Sequence, residues 1–278
     1  MLPWSRSLRK EFLPLFDAGR ERGPVLKPVA HLVVETLIGA GVADLTLVVQ
    51  PRDREAVANY FTVDSDLLRR IRRHPERLVE TREFYDQLRS LRLRYAVQPK
   101  PAGFGDAVLR AAPGVGDRPF LVHASDAFLD EPHRGDLPRA MGKLLVEEDI
   151  DGVLLVRRVA DPSRYGVVNG TSAGRYGRWR RLRVTGIEEK PAHPRSHWAA
   201  TAVYAFRPRL FDALRQVQRA RPRAPELELT WGIQRMLDDG GSVAALVAAP
   251  PAHWRSVGSP EGYFRALRAT RRGQRTAD

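Results

Sequence analysis

The sequence predicts a three-layer α/β fold built on a mixed, mostly parallel β-sheet. Three observations carry that prediction. Apolar runs of strand length alternate with stretches of helical apolar spacing along the first half of the chain. Loops rich in Pro and Gly, such as QPKPAGFGD, separate them. Two polar residues, Gln98 and Asp126, fall where strand-like runs end. Open α/β sheets bind ligands beyond the carboxyl ends of their strands, so both are candidate site residues.

The elements follow in order. KPVAHLVVETLIGAG carries helical apolar spacing and ends at Gly41. ADLTLVVQ (43–50) reads as a buried strand, residues 64–91 as charged helical sequence, and LRYAVQ (93–98) as a second strand. A Pro/Gly loop and the helix GDAVLRAA come next. PFLVHAS (119–125) is a strand that runs into Asp126, and Asp130-Glu131 read as a solvated turn. A helix around 135–148 leads to the strand DGVLLVRRV. The second half is richer in strands: RYGVVNG, WRRLRVTGIEE and HWAATAVYAF, then helices around 208–220 and 226–238 and a strand near 243–249. One domain over 1–267 is expected, with halves 1–150 and 151–267, followed by a basic tail over 268–278.

Composition narrows the function classes. No apolar run approaches the length of a membrane span, and the opening residues do not have the pattern of a signal peptide. The absence of cysteine excludes disulfides, thiolate metal sites and a cysteine nucleophile, and fits a cytoplasmic protein. The net charge of +13 favours anionic partners, among them phosphorylated small molecules. Runs such as RRIRRH and GRYGRWRRLR read as solvated faces, so nucleic acid is not the expected partner, and neither is a membrane. The chain has 41 arginines and five lysines, at 10, 27, 100, 143 and 190. Where arginine is the default cation, a lysine marks a position that wants a compact ammonium. Lys143 reads as an ordinary surface lysine.

Four motifs stand in order. MLPWSRSLRKEFLPLFD contains Leu2-Pro3 and Lys10-Glu11-Phe12-Leu13-Pro14-Leu15. QPKPAGFGDAVLRA offers the Gln98 amide, which can both donate and accept toward a base edge, and Gly103, which permits close backbone approach. FLVHASDAFLDE places the Asp126 carboxylate at a strand end, where it can hold Mg²⁺ beside substrate phosphates. RYGVV, GIEEKP and PELELTWGI complete the series.

This ordered series resembles the nucleotidyltransferases that make nucleotide sugars, most closely the archaeal-type UTP–glucose-1-phosphate uridylyltransferases. The likeness spans Met1 to about Leu267. It implies a Rossmann-like nucleotide-diphospho-sugar transferase fold of the GT-A kind, with a nucleotide half at 1–150 and a sugar-phosphate half at 151–267. It implies transfer of a nucleotidyl group from UTP (or dTTP) to a sugar-1-phosphate, with Mg²⁺, in a homo-oligomer. By resemblance Lys10, Asp126 and Lys190 are catalytic, Asp126 being also the metal ligand. Gln98 and Gly103 bind the nucleotide, and Gly166, Glu189 and Glu226 contact the sugar.

The sequence departs from the family at four places. The family's G-x-G-T-R loop and the strand before it belong ahead of Met1, so a sheet without its first strand is expected. Ser256 stands for the second metal aspartate, with Arg255 beside it. His197 and Ala202 replace Asn and Gly in S-N-L-A-x-x-G. Trp231 replaces the aspartate after L-T. These departures raise the alternative of a non-catalytic member that binds nucleotide or sugar nucleotide as a partner subunit.

Overall fold

The computed structural model describes residues 9–18, 24–250 and 252–273, so Leu2 and Pro3 of the opening motif lie outside the described residues. Strand β1 (Pro14–Ala18) pairs antiparallel with β2 (Pro24–Pro28), which runs straight into helix α1 (Val29–Gly39). Strand β3 (Asp44–Val49) follows. Helices α2 (Arg54–Tyr60), α3 (Ser65–Arg70) and α4 (Pro75–Arg89) form the charged helical stretch. Strand β4 (Arg92–Val97), helix α5 (Phe104–Val115), strand β5 (Phe120–His123), strand β6 (Ala127–Asp130) and helix α6 (Asp136–Glu147) complete the first half. The second half runs β7 (Gly152–Arg158), β8 (Gly166–Tyr176), β9 (Trp179–Glu189), β10 (Trp198–Phe206), α7 (Arg209–Ala220), α8 (Leu229–Asp238), β11 (Val243–Val247), β12 (His253–Ser256) and α9 (Pro260–Gly273).

The main sheet has the order β5-β10-β7-β11-β9-β8. Its central strands are buried on both faces, which explains their unbroken apolar runs. The period-two rule divides β7 cleanly. Leu154 and Val156 pack with α5, α7 and α8 through Val108, Leu214 and Ile233. Val153 and Leu155 pack on the opposite face against Leu137, Met141 and Leu144 of α6. Helices thus cover both faces, as the α/β layer pattern predicts. A third cluster joins α1, β1, β3 and α4 around Leu15, Leu32, Val34 and Phe84.

The sheet is mixed as expected, but the balance differs from the sequence expectation. Among the described residues, β3–β4 and β7–β11 are the parallel pairs, and the other seven pairings are antiparallel. The cause is the long β8–β9 hairpin and the reversed strand β10, which insert antiparallel neighbours into an α/β frame. Among the described residues, strands β3 and β4 pair only with each other, apart from the main sheet.

Other corrections concern short elements. Asp130 and Glu131 are not a solvated turn. Asp130 lies in β6, which pairs with β12 (His253↔Asp130), and its carboxylate accepts from Arg255 Nε at 2.8 Å. Glu131 is half-buried and accepts from the backbone N–H groups of Gly135 (3.1 Å) and Leu137 (2.9 Å), at the start of α6. Helix α9 continues to Gly273, so the expected tail begins inside a helix. Among the described residues no helix is long and apolar enough to cross a membrane.

Candidate functional site

The loop after β4 is closed by a backbone clasp. Leu227 N–H donates to Ala102 O at 2.7 Å, and Gly105 N–H donates to Leu227 O at 2.8 Å. The close approach requires glycine. Gly103 has φ +97 and ψ 166, a region open essentially to glycine alone, and a Cβ there would lie 2.5 Å from Leu227 O. Gln98 braces the same loop. Its Nε2 donates to Gly103 O at 3.1 Å and to the buried Asp106 carboxylate at 2.9 Å. Both amide protons are therefore engaged inside the protein. Gln98 shapes the loop here, with its Oε1 outside these two bonds.

Leu227 sits between Glu226 and Glu228, so the clasp carries the loop to the second candidate cluster. At the end of β9, Lys190 Nζ lies 3.0 Å from Glu189 Oε1 and 3.9 Å from Glu228 Oε1. Thr230 Oγ1 donates to Glu189 Oε2 at 2.9 Å. Gly166 packs beneath: a Cβ there would meet Thr230 Cγ2 at 2.7 Å. The hydrogen bond that Lys190 donates to Glu189 raises the Lys190 ammonium above the ordinary lysine value, and nearby Glu228 and Glu226 add to the effect. Burial, with Glu189 beside it, pushes the Glu228 carboxyl up. Lys190 holds a left-handed φ of +41, an uncommon conformation for a non-glycine residue and one that clusters at functional sites.

Lys10 and Asp126 form a third group at the ends of β3 and β5. Lys10 Nζ meets Asp126 Oδ2 at 2.5 Å, and both side chains are partly exposed. Arg9 reaches across to Gln50 Oε1 at 3.1 Å. Ser256 is adjacent: its Oγ donates to Asp126 O at 3.4 Å and accepts from Gly258 N–H at 3.1 Å. Arg255 is occupied by Asp130 and does not crowd Asp126. For Mg²⁺ the donor set is one carboxylate with a serine hydroxyl nearby. No cluster of three or more His, Asp or Glu able to hold a metal occurs among the described residues. These residues fit a Mg²⁺ that arrives on a polyphosphate and keeps its waters, rather than a stand-alone metal cage.

The structure therefore brings Gln98, Gly103, Gly166, Glu189 and Lys190 into one connected set, and Lys10 with Asp126 into a neighbouring one. Glu226 is exposed, two residues before Glu228, and near enough to act on the Lys190 charge without an ion-pair contact of its own among those described. Glu228 and Thr230 take the places against Lys190 and Glu189, and sequence reasoning missed both. Alternation along the extended PELELT segment is the signal that could have found them. Of the departures, Ala202 holds φ +56, so its backbone keeps the shape that suits glycine. Trp231 lies under the Arg221 guanidinium, 4.5 Å from the ring centroid.

Residues 3–273 match the family model described as nucleotidyl transferase. A glucose-1-phosphate thymidylyltransferase of Streptomyces antibioticus is 28% identical over 240 residues, covering 84% of this chain and 54% of that protein. The chain thus spans about half the length of that relative. A UTP–glucose-1-phosphate uridylyltransferase of Mycoplasma pneumoniae is 27% identical over 246 residues, covering 86% of this chain and 78% of that protein. A crystal structure of apo UDP-glucose pyrophosphorylase superimposes with a TM-score of 0.82 over 98% of this chain and 94% of that one, at 21% identity. That last likeness concerns the fold alone.

Proposed function

The chain belongs to the nucleotidyl transferase family, and on that footing we propose that it transfers a uridylyl group from UTP to glucose-1-phosphate, releasing pyrophosphate. The observation that carries this reading is the clasp at Leu227, which sets the Gln98–Gly103 loop directly beside the Glu189–Lys190–Glu228 cluster. A base-sized ligand against the first and a sugar phosphate against the second would share one continuous surface. The single domain has its nucleotide half at 1–150 and its sugar-phosphate half at 151–267.

In this reading the sugar phosphate oxygen attacks the α-phosphorus of UTP in line, and the protein's task is positioning and charge neutralisation. Lys190 exchanges its carboxylate partners for the sugar phosphate. Glu189, held by Thr230, accepts sugar hydroxyls. Lys10 turns from Asp126 toward the triphosphate. Asp126 would hold Mg²⁺, which when bound supplies Lewis-acid neutralisation of phosphate charge. UTP is preferred to dTTP because the motif series resembles uridylyltransferases.

Pyrophosphate release from UTP, glucose-1-phosphate and Mg²⁺ tests the proposal, with dTTP run beside UTP. Release that falls at least 100-fold in Asp126→Asn supports it. Binding of UTP with no release would favour the second reading, a non-catalytic sugar-nucleotide binder. One observation supports that reading: Asp126 stands as a single carboxylate already paired with Lys10.

A further inference from the structure

Arg134, Arg207 and Arg255 are half-buried, and each has a carboxylate beside it: Asp17 and Glu35 at 2.7 Å, Asp149 at 2.7 Å and Asp130 at 2.8 Å. Arg157 is half-buried as well, but among the described residues it forms no ion pair; its contacts are two aromatic side chains. A guanidinium taken partly out of water without a counter-charge costs free energy. The fold keeps that charge at the carboxyl end of the central strand β7, where α/β sheets bind ligands.

The surroundings hold the guanidinium without neutralising it. Its central carbon lies 4.7 Å from the ring centroid of Trp254 and 5.5 Å from that of Tyr165. Arg157 Nη2 donates to Tyr165 Oη at 3.2 Å, and its other N–H groups have no acceptor among the described residues. The Trp254 indole N–H is itself buried without an acceptor. Both groups can only donate, so together they suit a ligand rich in acceptors. The two rings also fix Arg157 between the site clusters. Lys190 N–H donates to Tyr165 O at 3.0 Å, and Tyr165 precedes Gly166. Trp254 stands on β12 two residues before Ser256, whose Oγ donates to Asp126 O.

We propose that Arg157, stacked between Trp254 and Tyr165, is an oxyanion clamp for the sugar substrate, binding a group of the phosphate or carboxylate class that the sugar carries. The proposal rests on the transferase reading above for the place of the sugar. The planar fork of Arg157 grips two oxygens of one group at once, which the compact ammonium of Lys190 does not. The aromatic walls hold the plane of the fork, so little side-chain freedom is left to lose on binding. The clamped oxygens come from the 1-phosphate or from a carboxylate elsewhere on the ring, and the two sources make different predictions. In either case the clamp selects anionic sugars over neutral ones.

Titration calorimetry of the full chain, with Mg²⁺ and a UTP analogue bridged by methylene between the α- and β-phosphorus, reads sugar affinity without turnover. The probes are glucose-1-phosphate and the same compound with its hydroxymethyl group oxidised to a carboxylate. Arg157→Met keeps an unbranched stem between the rings and removes the charge. It is expected to weaken both probes about 10- to 100-fold if the phosphate is clamped, and only the carboxylate-bearing probe if the carboxylate is. Arg157→Lys should fall between the two, since it restores charge without the fork. The urea midpoint of Arg157→Met should hold or rise, because a half-buried charge without a partner has been removed. Unchanged affinity for both probes overturns the proposal, as does failure of both to bind the unsubstituted chain. A lowered midpoint with affinity intact overturns it too, since Arg157 would then be a packing residue. Transfer is judged separately: a chain that moves no nucleotidyl group but loses sugar-phosphate affinity with Arg157 keeps the clamp, and full transfer with undiminished affinity in Arg157→Met removes it.

Discussion

Replacing Gly103 by Ala probes the clasp that joins the two halves of the site. Two effects add. The backbone at φ +97, ψ 166 costs a non-glycine residue about 1–3 kcal/mol. The new Cβ would also lie 2.5 Å from Leu227 O and 2.6 Å from Leu227 N, backbone atoms that can give way only by breaking the two hydrogen bonds of the clasp. Each is worth roughly 0.5–1.5 kcal/mol. The expected loss is about 2–6 kcal/mol, a large part of the roughly 5–15 kcal/mol that holds a domain together. Gly41→Ala is the matched control: it has φ +91 but nothing within 4 Å of its new Cβ. It should cost only about 1–2 kcal/mol. Urea unfolding gives both values from the shift in midpoint at constant slope. Equal losses in the two variants, or a Gly103→Ala loss under about 1 kcal/mol, would refute the reasoning, because the clasp would then be yielding and not fixed.

Three further outcomes are expected. Ala202→Gly relieves the left-handed strain at φ +56, and after the entropy of glycine is subtracted should raise stability by about 0.5–1 kcal/mol, seen as a rise in Tm. Burial disfavours the charged form of His123 and pushes its imidazole down to about 4, against the opposing pull of the Nδ1–H hydrogen bond to Ala124 O (2.8 Å) and of the Asp126 charge. The unfolded chain binds that proton near 6.5, so stability is fully present above 6.5 and is lost as pH falls toward 4; the loss reaches at most about 3 kcal/mol. His123→Leu should flatten that limb in a pH series of denaturation curves, and an unchanged limb would show that His123 is not its source. Lys190→Ala removes a charged hydrogen bond of roughly 1.5–3 kcal/mol. It should raise KM for glucose-1-phosphate about 10- to 100-fold, with a far smaller effect on KM for UTP; equal effects on both would move Lys190 away from the sugar phosphate.

Continuous apolar runs such as DGVLLVRRV and HWAATAVYAF were legible because the strands they form are buried on both faces. Strands β6 and β12 were not. Each has four residues, and its partner lies more than a hundred positions away, so nothing local announces the pairing. At the site, motif order pointed to Lys10, Asp126, Glu189 and Lys190, and the last three lie at or just beyond strand ends. Motif matching pointed to Glu226; in an extended segment residues two apart share a face, so Glu228 lies on the same side, and it is Glu228 whose carboxylate comes within 3.9 Å of Lys190. The inward role of Gln98 depends on Asp106, a buried carboxylate on α5 whose burial no spacing rule reveals.

The central claim is a transfer, and it is best tested by following the transferred group. The protein is incubated with UTP labelled at the α-phosphorus, glucose-1-phosphate and Mg²⁺, and the products are separated. The account predicts that label moves into UDP-glucose, that it does so only when glucose-1-phosphate is present, and that Asp126→Asn abolishes it. UTP that binds but keeps its label would contradict the account and leave a protein that holds a nucleotide without transferring it.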